Sequence, residues 1–363
     1  NTSRTTGTRP SSPPRLAGGA APDLIQIIQT RLVEFGSKND MFVDFAQQTI
    51  VDYKLWDESF RSIYGNVNGK LVGLSTGVNS YNVMINKNVL DRLNIAMPSQ
   101  SITWDEFLAL GRKIHKADPN SYLLSADKDS LNLMMRSFIR QRTGKFYIDD
   151  GYTVLEDEGA YVAFFTMLRT MYDDGIIEPV ESGFPYWGKL EQNKKWIQGQ
   201  IAAMYCAASS ILGIKQADMN IVPINLPQTP GSATTGIVTQ PAQIFAVKKG
   251  PNQDEALRFL AWLYTTEEGA LIVKDTRGVP PTQFQRSLLA GKGLLDKAIS
   301  AAVDMAMPKT DKPVPALSEN SQIYEVCQGV VEKVAFKVLG PEQAAKELIA
   351  KCKVVLADLK SRK

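Results

Sequence analysis

Apolar and polar positions along this chain alternate between two periods, one strand-like and one helical. Short apolar runs predict buried strands at Asp23-Leu-Ile-Gln-Ile-Ile28, at Leu71-Val-Gly-Leu74 after an Asn68-Gly69 turn, at Tyr81-Asn-Val-Met-Ile85 and at Ile244-Phe-Ala-Val247. Helical spacing follows the first run through Leu32, Val33 and Phe35. Thr103-Trp-Asp-Glu106 is a capping box. The Thr103 hydroxyl can accept from the Glu106 amide while the Glu106 side chain reaches back. Trp104, Phe107, Leu108 and Gly111 then share one helical face. Tyr161 to Tyr172 predicts a helix closed by Asp173-Asp174-Gly175. Asn252 is placed to cap another, with Glu255 in the box position and Ala256, Phe259, Leu260 and Leu263 as its apolar stripe. Gly340-Pro341 separates two final helices. Asp150-Gly151 predicts a hairpin turn between Lys145-Phe-Tyr-Ile148 and Tyr152-Thr-Val-Leu155, because both residues tolerate positive φ.

Strands and helices alternating in this way predict an α/β fold. With 363 residues, 44% of them apolar, the chain is long enough for two lobes, each with a core. Pro308-Lys-Thr-Asp-Lys-Pro-Val-Pro315 suits a connection between lobes. Asn1 to Arg15, rich in Thr, Ser, Arg and Pro, has no periodicity and is expected to be irregular or disordered.

Charge narrows the partners. The net charge of +3 comes from 41 basic and 38 acidic residues with no long run of one sign, so no nucleic-acid tract is expected. No apolar run approaches the roughly 20 residues that span a bilayer. No secretion signal opens the chain as given. Cys206, Cys327 and Cys352 form no metal-binding spacing. Cys352 lines up with Leu348, Val355 and Leu359 and reads as a small buried residue.

Motifs for catalysis are missing. Gly183-Phe-Pro-Tyr-Trp-Gly188-Lys189 has phosphate-loop spacing, but Leu190 stands where a Ser or Thr should hold magnesium, and bulky rings fill the loop. An aromatic loop is the better reading. His115 is the only histidine, late in a helix beside Lys116, and no Gly-x-Ser-x-Gly elbow occurs. The pairs Asp149-Asp150, Asp173-Asp174 and Glu267-Glu268 sit at turns or helix starts, where carboxylates satisfy backbone amides. Asp127-Lys-Asp129 begins like a calcium loop, but Leu131 and Leu133 follow and no glycine bends it. Of the tryptophans, Trp104 and Trp262 fall on apolar stripes and read as core. Trp196 is ambiguous. Trp56 and Trp187 sit among polar, glycine or proline neighbours in expected loops. Each can stack on the C–H face of a sugar or cover a core edge.

Several segments taken in order resemble extracellular solute-binding proteins of the maltose-binding-protein-like group (family 1). They are Ala20-Ala-Pro-Asp-Leu-Ile-Gln26, Gly69 to Leu74 with Gly77-Val-Asn-Ser-Tyr81 and Ile85-Asn-Lys87, Thr103-Trp-Asp-Glu-Phe107, Tyr172-Asp-Asp-Gly-Ile176, Gly199-Gln-Ile-Ala-Ala-Met204, and Pro251 through Pro281. The resemblance runs from about Leu16 to the C-terminus. It implies a type II periplasmic-binding-protein fold: two discontinuous α/β lobes with a hinge and a ligand cleft between them. The expected partition is 16–78 and 237–307 for the first lobe, 79–236 and 316–363 for the second, and 308–315 as the crossing. It implies the solute-binding component of an ABC importer that closes on a sugar or oligosaccharide and delivers it to permease subunits. It further implies a monomer without cofactor, metal or catalytic residues, outside the cell or in the periplasm, with lipid anchoring compatible. A two-lobed glycan enzyme and a truncated relative acting as an interaction protein are the alternatives.

Carried over by matching segments, the ligand contacts expected from this resemblance are Gln29 and Thr30 after the first strand, Asn79 and Ser80 at the first crossing, Ser209 and Ser210 after the Ala-Met-Tyr strand, and Thr239 and Gln240 at the second crossing. Arg277 precedes the Gly-Val-Pro loop, and Trp187 and Trp56 are the candidate stacking rings. Many relatives carry tryptophan where this chain has Ser210. Relatives also open with a strand and a long helix before the segment matching Leu16 to Asp23, so the first lobe is expected to lack them. Amides and hydroxyls dominate the set, which suits a neutral polar ligand, since a buried charge needs a partner.

Overall fold

This computed structural model describes residues 22–38, 40–312 and 314–361. The expected irregular tail, 1–15, lies outside them. Ten strands occur among the described residues: β1 (Leu24–Ile27), β2 (Asn66–Val67), β3 (Lys70–Leu71), β4 (Leu74–Ser75), β5 (Val78–Asn86), β6 (Tyr122–Ser125), β7 (Ile201–Ala207), β8 (Ile221–Ile224), β9 (Thr239–Pro241) and β10 (Ile244–Val247). The helices used below are α1 (Gln29–Lys38), α2 (Trp104–Ala117), α3 (Lys128–Thr143), α4 (Glu158–Asp173), α5 (Gln253–Thr265), α6 (Ser321–Ala335) and α7 (Pro341–Ser361).

The chain separates into two compact units. Unit 1 takes residues up to Asn79 and Gln240–Pro308, and unit 2 takes Ser80–Thr239 and Lys309–Lys363. Residues 309–312, expected within the crossing segment, cluster with unit 2. Asp311 accepts from the Arg140 guanidinium through both oxygens, at 2.9 and 3.0 Å, and the Thr310 and Thr239 hydroxyls lie 2.9 Å apart.

Unit 1 is built on the antiparallel sheet β1-β10-β4, with Leu24 opposite Val247 and Phe245 opposite Leu74. Phe45, Leu71, Leu74, Val247 and Leu260 fill its core. The α5 stripe is rotated from the sequence expectation. Ala256, Leu257, Leu260 and Tyr264 face inward, while Phe259 is exposed. Asn252 makes no cap bond; its amide donates to Asp23 at 3.1 Å instead. Gly77 has a steric reason to be glycine, because a Cβ there would fall 2.2 Å from the Arg277 carbonyl oxygen.

Unit 2 is built on β6-β7-β5-β8, in which β5 runs antiparallel to both neighbours and β6 parallel to β7. Helices α2, α3, α4, α6 and α7 supply the apolar faces that cover it. The predicted capping box forms: Thr103 Oγ1 accepts from the Glu106 amide, and Glu106 accepts from the Thr103 amide at 2.7 Å. Cys352 is fully buried as expected, but Leu356, not Val355, completes the inward face of α7. At the predicted hairpin only an Ile148–Val154 bridge forms, and Tyr152, not Gly151, takes the positive φ. The Asp149 carboxylate explains this by accepting from the Gly151 and Thr153 amides and holding the turn from inside.

Candidate functional site

Three elements of unit 2 end around one open cavity of about 500 Å³. The first is β7, whose residues are buried from Ile201 through Cys206 before the chain turns at Ala208–Ser210. Its C-terminal end brings Tyr205, Cys206, Ser209 and Ser210 to the wall. The second is β5, paired so that Tyr81 lies opposite Ala207, which sets the Tyr81 and Tyr205 rings 6.2 Å apart. The third is the start of α3, where Asp127 caps the helix by accepting from the Ser130 amide at 2.8 Å and Asp129 follows in the first turn. Carboxylates suit a helix N-terminus because they face its unpaired amides and the positive end of its dipole. Tyr324 from α6 and Gly188, Leu190 and Glu191 from the aromatic loop close the lining.

Trp187 stands beside this cavity. Its indole is 47% exposed, and its Nε1 donates to Asp129 at 2.8 Å. Gln328 donates to the other Asp129 oxygen. The Lys128 ammonium lies 5.2 Å from the Trp187 ring centre and is paired with Glu332 at 2.7 Å. The loop that carries Trp187 is tied at its base: the Asn193 amide donates to the Glu178 carboxylate at 2.6 Å, and Ser125 donates to the same oxygen. Arg136, almost wholly buried, pairs with Glu319 through Nη2 and lies 5.6 Å from the Tyr147 ring centre, while its Nη1 is buried without a hydrogen-bond partner.

The electrostatics follow from burial. Burial pushes the Tyr81 phenol upward, with Glu319 adding to it. Burial, with Asp129 nearby, does the same to Tyr324. The Cys206 thiol is pushed up to about 12 by burial, with Asp127 contributing, so it is no nucleophile at neutral pH. The wall is therefore made of neutral phenols and hydroxyls beside carboxylates. It can stack a flat apolar face and accept from hydroxyl donors, and no activated nucleophile is present in it.

Of the sequence candidates, the structure brings Ser209 and Ser210 into this wall and Trp187 to its side. Ser80 is buried and donates to Asn82 at 2.7 Å, and Thr239 is buried against Thr310. Gln29, at the start of α1, is half-buried, as is Asn79 on β5; Gln240 and Arg277 are exposed; all four belong to unit 1. Thr30 lies in α1, and its side chain is outside the described set. Trp56 is not a stacking ring. It is 2% exposed in the unit 1 core, with Nε1 donating to the Ser75 carbonyl at 3.0 Å and its ring 5.7 Å from that of Tyr264. Sequence reasoning did not single out Tyr205 and Tyr324. The sequence marks Tyr81 as a strand former within a family-like segment, and Asp127 and Asp129 as the start of an incomplete calcium loop. Tyr81 and Tyr205 had a signal in the strand pattern around them; Tyr324 had none.

Comparison with known proteins agrees with this architecture. Residues 14–284 match the family model of bacterial extracellular solute-binding proteins. The fold is shared with an extracellular solute-binding protein of family 1 from Alicyclobacillus acidocaldarius, 17% identical, at a TM-score of 0.86 over 94% of this chain and 86% of that one. It is shared with a periplasmic oligogalacturonide-binding protein from Yersinia enterocolitica, 22% identical, at 0.76 over 95% and 87%. The GacH receptor of Streptomyces glaucescens, solved unliganded and with acarbose, is 15% identical and matches at 0.64 over 95% and 86%. These are two-lobed type II folds, and the family and these neighbours are binding proteins.

Proposed function

We infer, for a chain that belongs to the bacterial extracellular solute-binding protein family, that it is the solute-binding component of an ABC importer and that its cargo is a sugar or oligosaccharide. The observation that carries the cargo is the unit 2 cavity, where Tyr81, Tyr205 and Tyr324 stand beside Ser209, Ser210, Asp127 and Asp129. Sugar rings present just these two chemistries, a C–H face for aromatic rings and a rim of hydroxyls for polar oxygens. Of the neighbours described above, one is named for the oligogalacturonide it binds and another was solved in complex with acarbose. Closure of the two units on the solute, delivery to a membrane permease, action as a monomer and a lipid-anchored place outside the cytoplasmic membrane complete the proposal.

Titration calorimetry of the purified chain against oligosaccharides, amino acids and metal ions tests it. Binding of at least one oligosaccharide class in the micromolar range is expected. Heat with amino acids or metals but with no glycan sinks the carbohydrate assignment.

A further inference from the structure

Two of the three cysteines fall in one place. Helices α6 and α7 pack directly against each other with only residues 336–340 between them, so they run antiparallel as a helical hairpin. Moving away from that connection, the inward face of α6 carries Val334, Val331, Cys327 and Ile323, and the inward face of α7 carries Ala345, Leu348, Cys352 and Leu356. Both stripes advance by three, then four, then four residues. Cys327 and Cys352 therefore hold the same rank in the two stripes, and antiparallel packing sets them opposite each other. Helix axes about 8 to 10 Å apart, each with Cα atoms about 2.3 Å from its axis, bring facing Cα atoms to roughly 4 to 6 Å, within the reach of a disulfide. The surroundings agree. Contact with the Cys327 thiol, ahead of burial, raises the Cys352 thiol far above its usual range. Burial, then both of these thiols, raises the Tyr161 phenol of α4, so the two sulfurs share a neighbour. Both cysteines are fully buried in one core, and both are free thiols. They are not half of a metal centre, because no group of three or more His, Cys, Asp or Glu among the described residues could hold an ion. Cys206 lies elsewhere, on β7 at the cavity wall.

We propose that Cys327 and Cys352 are an oxidisable pair that closes to a disulfide as the chain folds in oxidising surroundings. The oxidant is a donor disulfide, small or protein-borne. One cysteine thiolate attacks the donor, forms a mixed disulfide and releases the first donor thiol. The other thiolate attacks the protein sulfur of that mixed disulfide, forms the Cys327–Cys352 bond and releases the second donor thiol. Two protein thiols are oxidised, one donor disulfide is reduced, and the two protons end on the donor thiols. Burial in the docked hairpin shuts the donor out, so the reaction belongs to the folding chain, before α7 docks. The bond then ties α7 to α6 next to the site. Tyr324, one turn before Cys327, lines the cavity, and Gln328, the next residue, donates to Asp129. Oxidising surroundings are what the extracellular placement proposed above provides; the pairing itself does not depend on it.

The test refolds the reduced whole chain from urea in a mixture of oxidised and reduced glutathione, which supplies the donor disulfide. Free thiols are then alkylated in denaturant, and links are mapped by the masses of unreduced peptides. The expected result is one alkylated cysteine, Cys206, and a Cys327–Cys352 cross-link. The oxidised protein should unfold about 1 M higher in urea than the same protein in reductant. Cys352→Ser should give two alkylated cysteines and one midpoint with or without reductant; Cys327→Ala serves if that variant does not fold. Three alkylated cysteines in the refolded wild type, a link through Cys206, or a midpoint no higher than in reductant overturns the pairing. None of these readouts uses a glycan, so the solute-binding reading stands or falls separately, by calorimetry.

Discussion

Trp56 and Trp187 have similar sequence surroundings and opposite fates. Both sit among polar, glycine or proline neighbours, and both read as loop rings free to stack on a ligand. In unit 1 the segment around Trp56 folds back on the sheet, and the indole reaches the Ser75 carbonyl and the Tyr264 ring. In unit 2 the loop around Trp187 turns outward, and its indole nitrogen is held by an acid in the first turn of α3. The Trp56 indole nitrogen is satisfied by backbone inside a core. The Trp187 nitrogen is satisfied by a side chain at the edge of a cavity, and about half of its surface stays free. The two rings therefore differ both in the partner that the N–H finds and in how much of the ring is left in solvent. Local composition does not encode that choice.

The largest consequence of this difference is for stability. Trp56→Ala removes a fully packed ring and leaves the Ser75 carbonyl without its donor. It should cost about 3 to 5 kcal/mol, read as a fall in the urea midpoint with an unchanged slope. Trp187→Ala should cost less than about 1 kcal/mol by the same measurement, because the ring is half in solvent. A loss at Trp187 equal to that at Trp56 would erase the comparison.

The second consequence runs the other way. Trp187→Ala should weaken oligosaccharide binding by about 1 to 2 kcal/mol, roughly five- to thirtyfold in Kd by calorimetry. Trp187→Phe should recover part of this, since a ring remains while the Asp129 bond is lost. Unchanged affinity in Trp187→Ala would move the stacking role to Tyr81, Tyr205 and Tyr324 alone.

The fold was legible in the sequence wherever one element decides its own structure. The run at Tyr81 to Ile85 became part of β5, and Thr103 to Glu106 became a working capping box. The site was less legible because it is made where distant segments meet. Tyr324 comes from a helix some 240 residues beyond Tyr81, and nothing in its own neighbourhood marks it. Asp127 and Asp129 were visible but were weighed as metal ligands, and helix capping accounts for the first of them. Asn252 shows the same limit at the level of a cap: the sequence offered a box, and the carboxylate of Asp23, far away along the chain, took the amide.

Ser210 gives a smaller test on the binding side. The family resemblance leads one to expect tryptophan where this chain has Ser210, and the serine lines the cavity. Ser210→Ala removes one hydroxyl from a wall that keeps its rings. It should weaken binding by about 0.5 to 1.5 kcal/mol with little change in stability. Ser210→Trp should abolish binding of the largest oligomers first if it fills the cavity. Tighter binding in that variant would show that a stacking ring, and not space, is what this wall lacks.

The smallest effect concerns how the Trp187 loop is held. Glu178, almost fully buried, receives Ser125, Asn193 and Ser182, and its link to Asn193 closes the loop that carries Trp187. Burial raises its carboxyl above the ordinary range, and these hydrogen bonds only partly oppose the rise. The folded state therefore binds this proton more tightly than the unfolded chain does. Stability from this group is greatest at acid pH and falls as pH climbs from the ordinary carboxylate value through the raised one. Glu178→Gln keeps an acceptor for Asn193 and Ser125 and cannot ionise. Its stability relative to the wild type should rise with pH across that window, measured by urea unfolding in steps from mildly acidic to neutral pH. The polar partner of the Trp56 indole is the Ser75 backbone carbonyl, which does not titrate, so the pH response of a Trp56→Phe variant should run parallel to that of the wild type. If Glu178→Gln also runs parallel, the buried carboxyl does not tune the loop, and Trp187 is positioned by Asp129 alone.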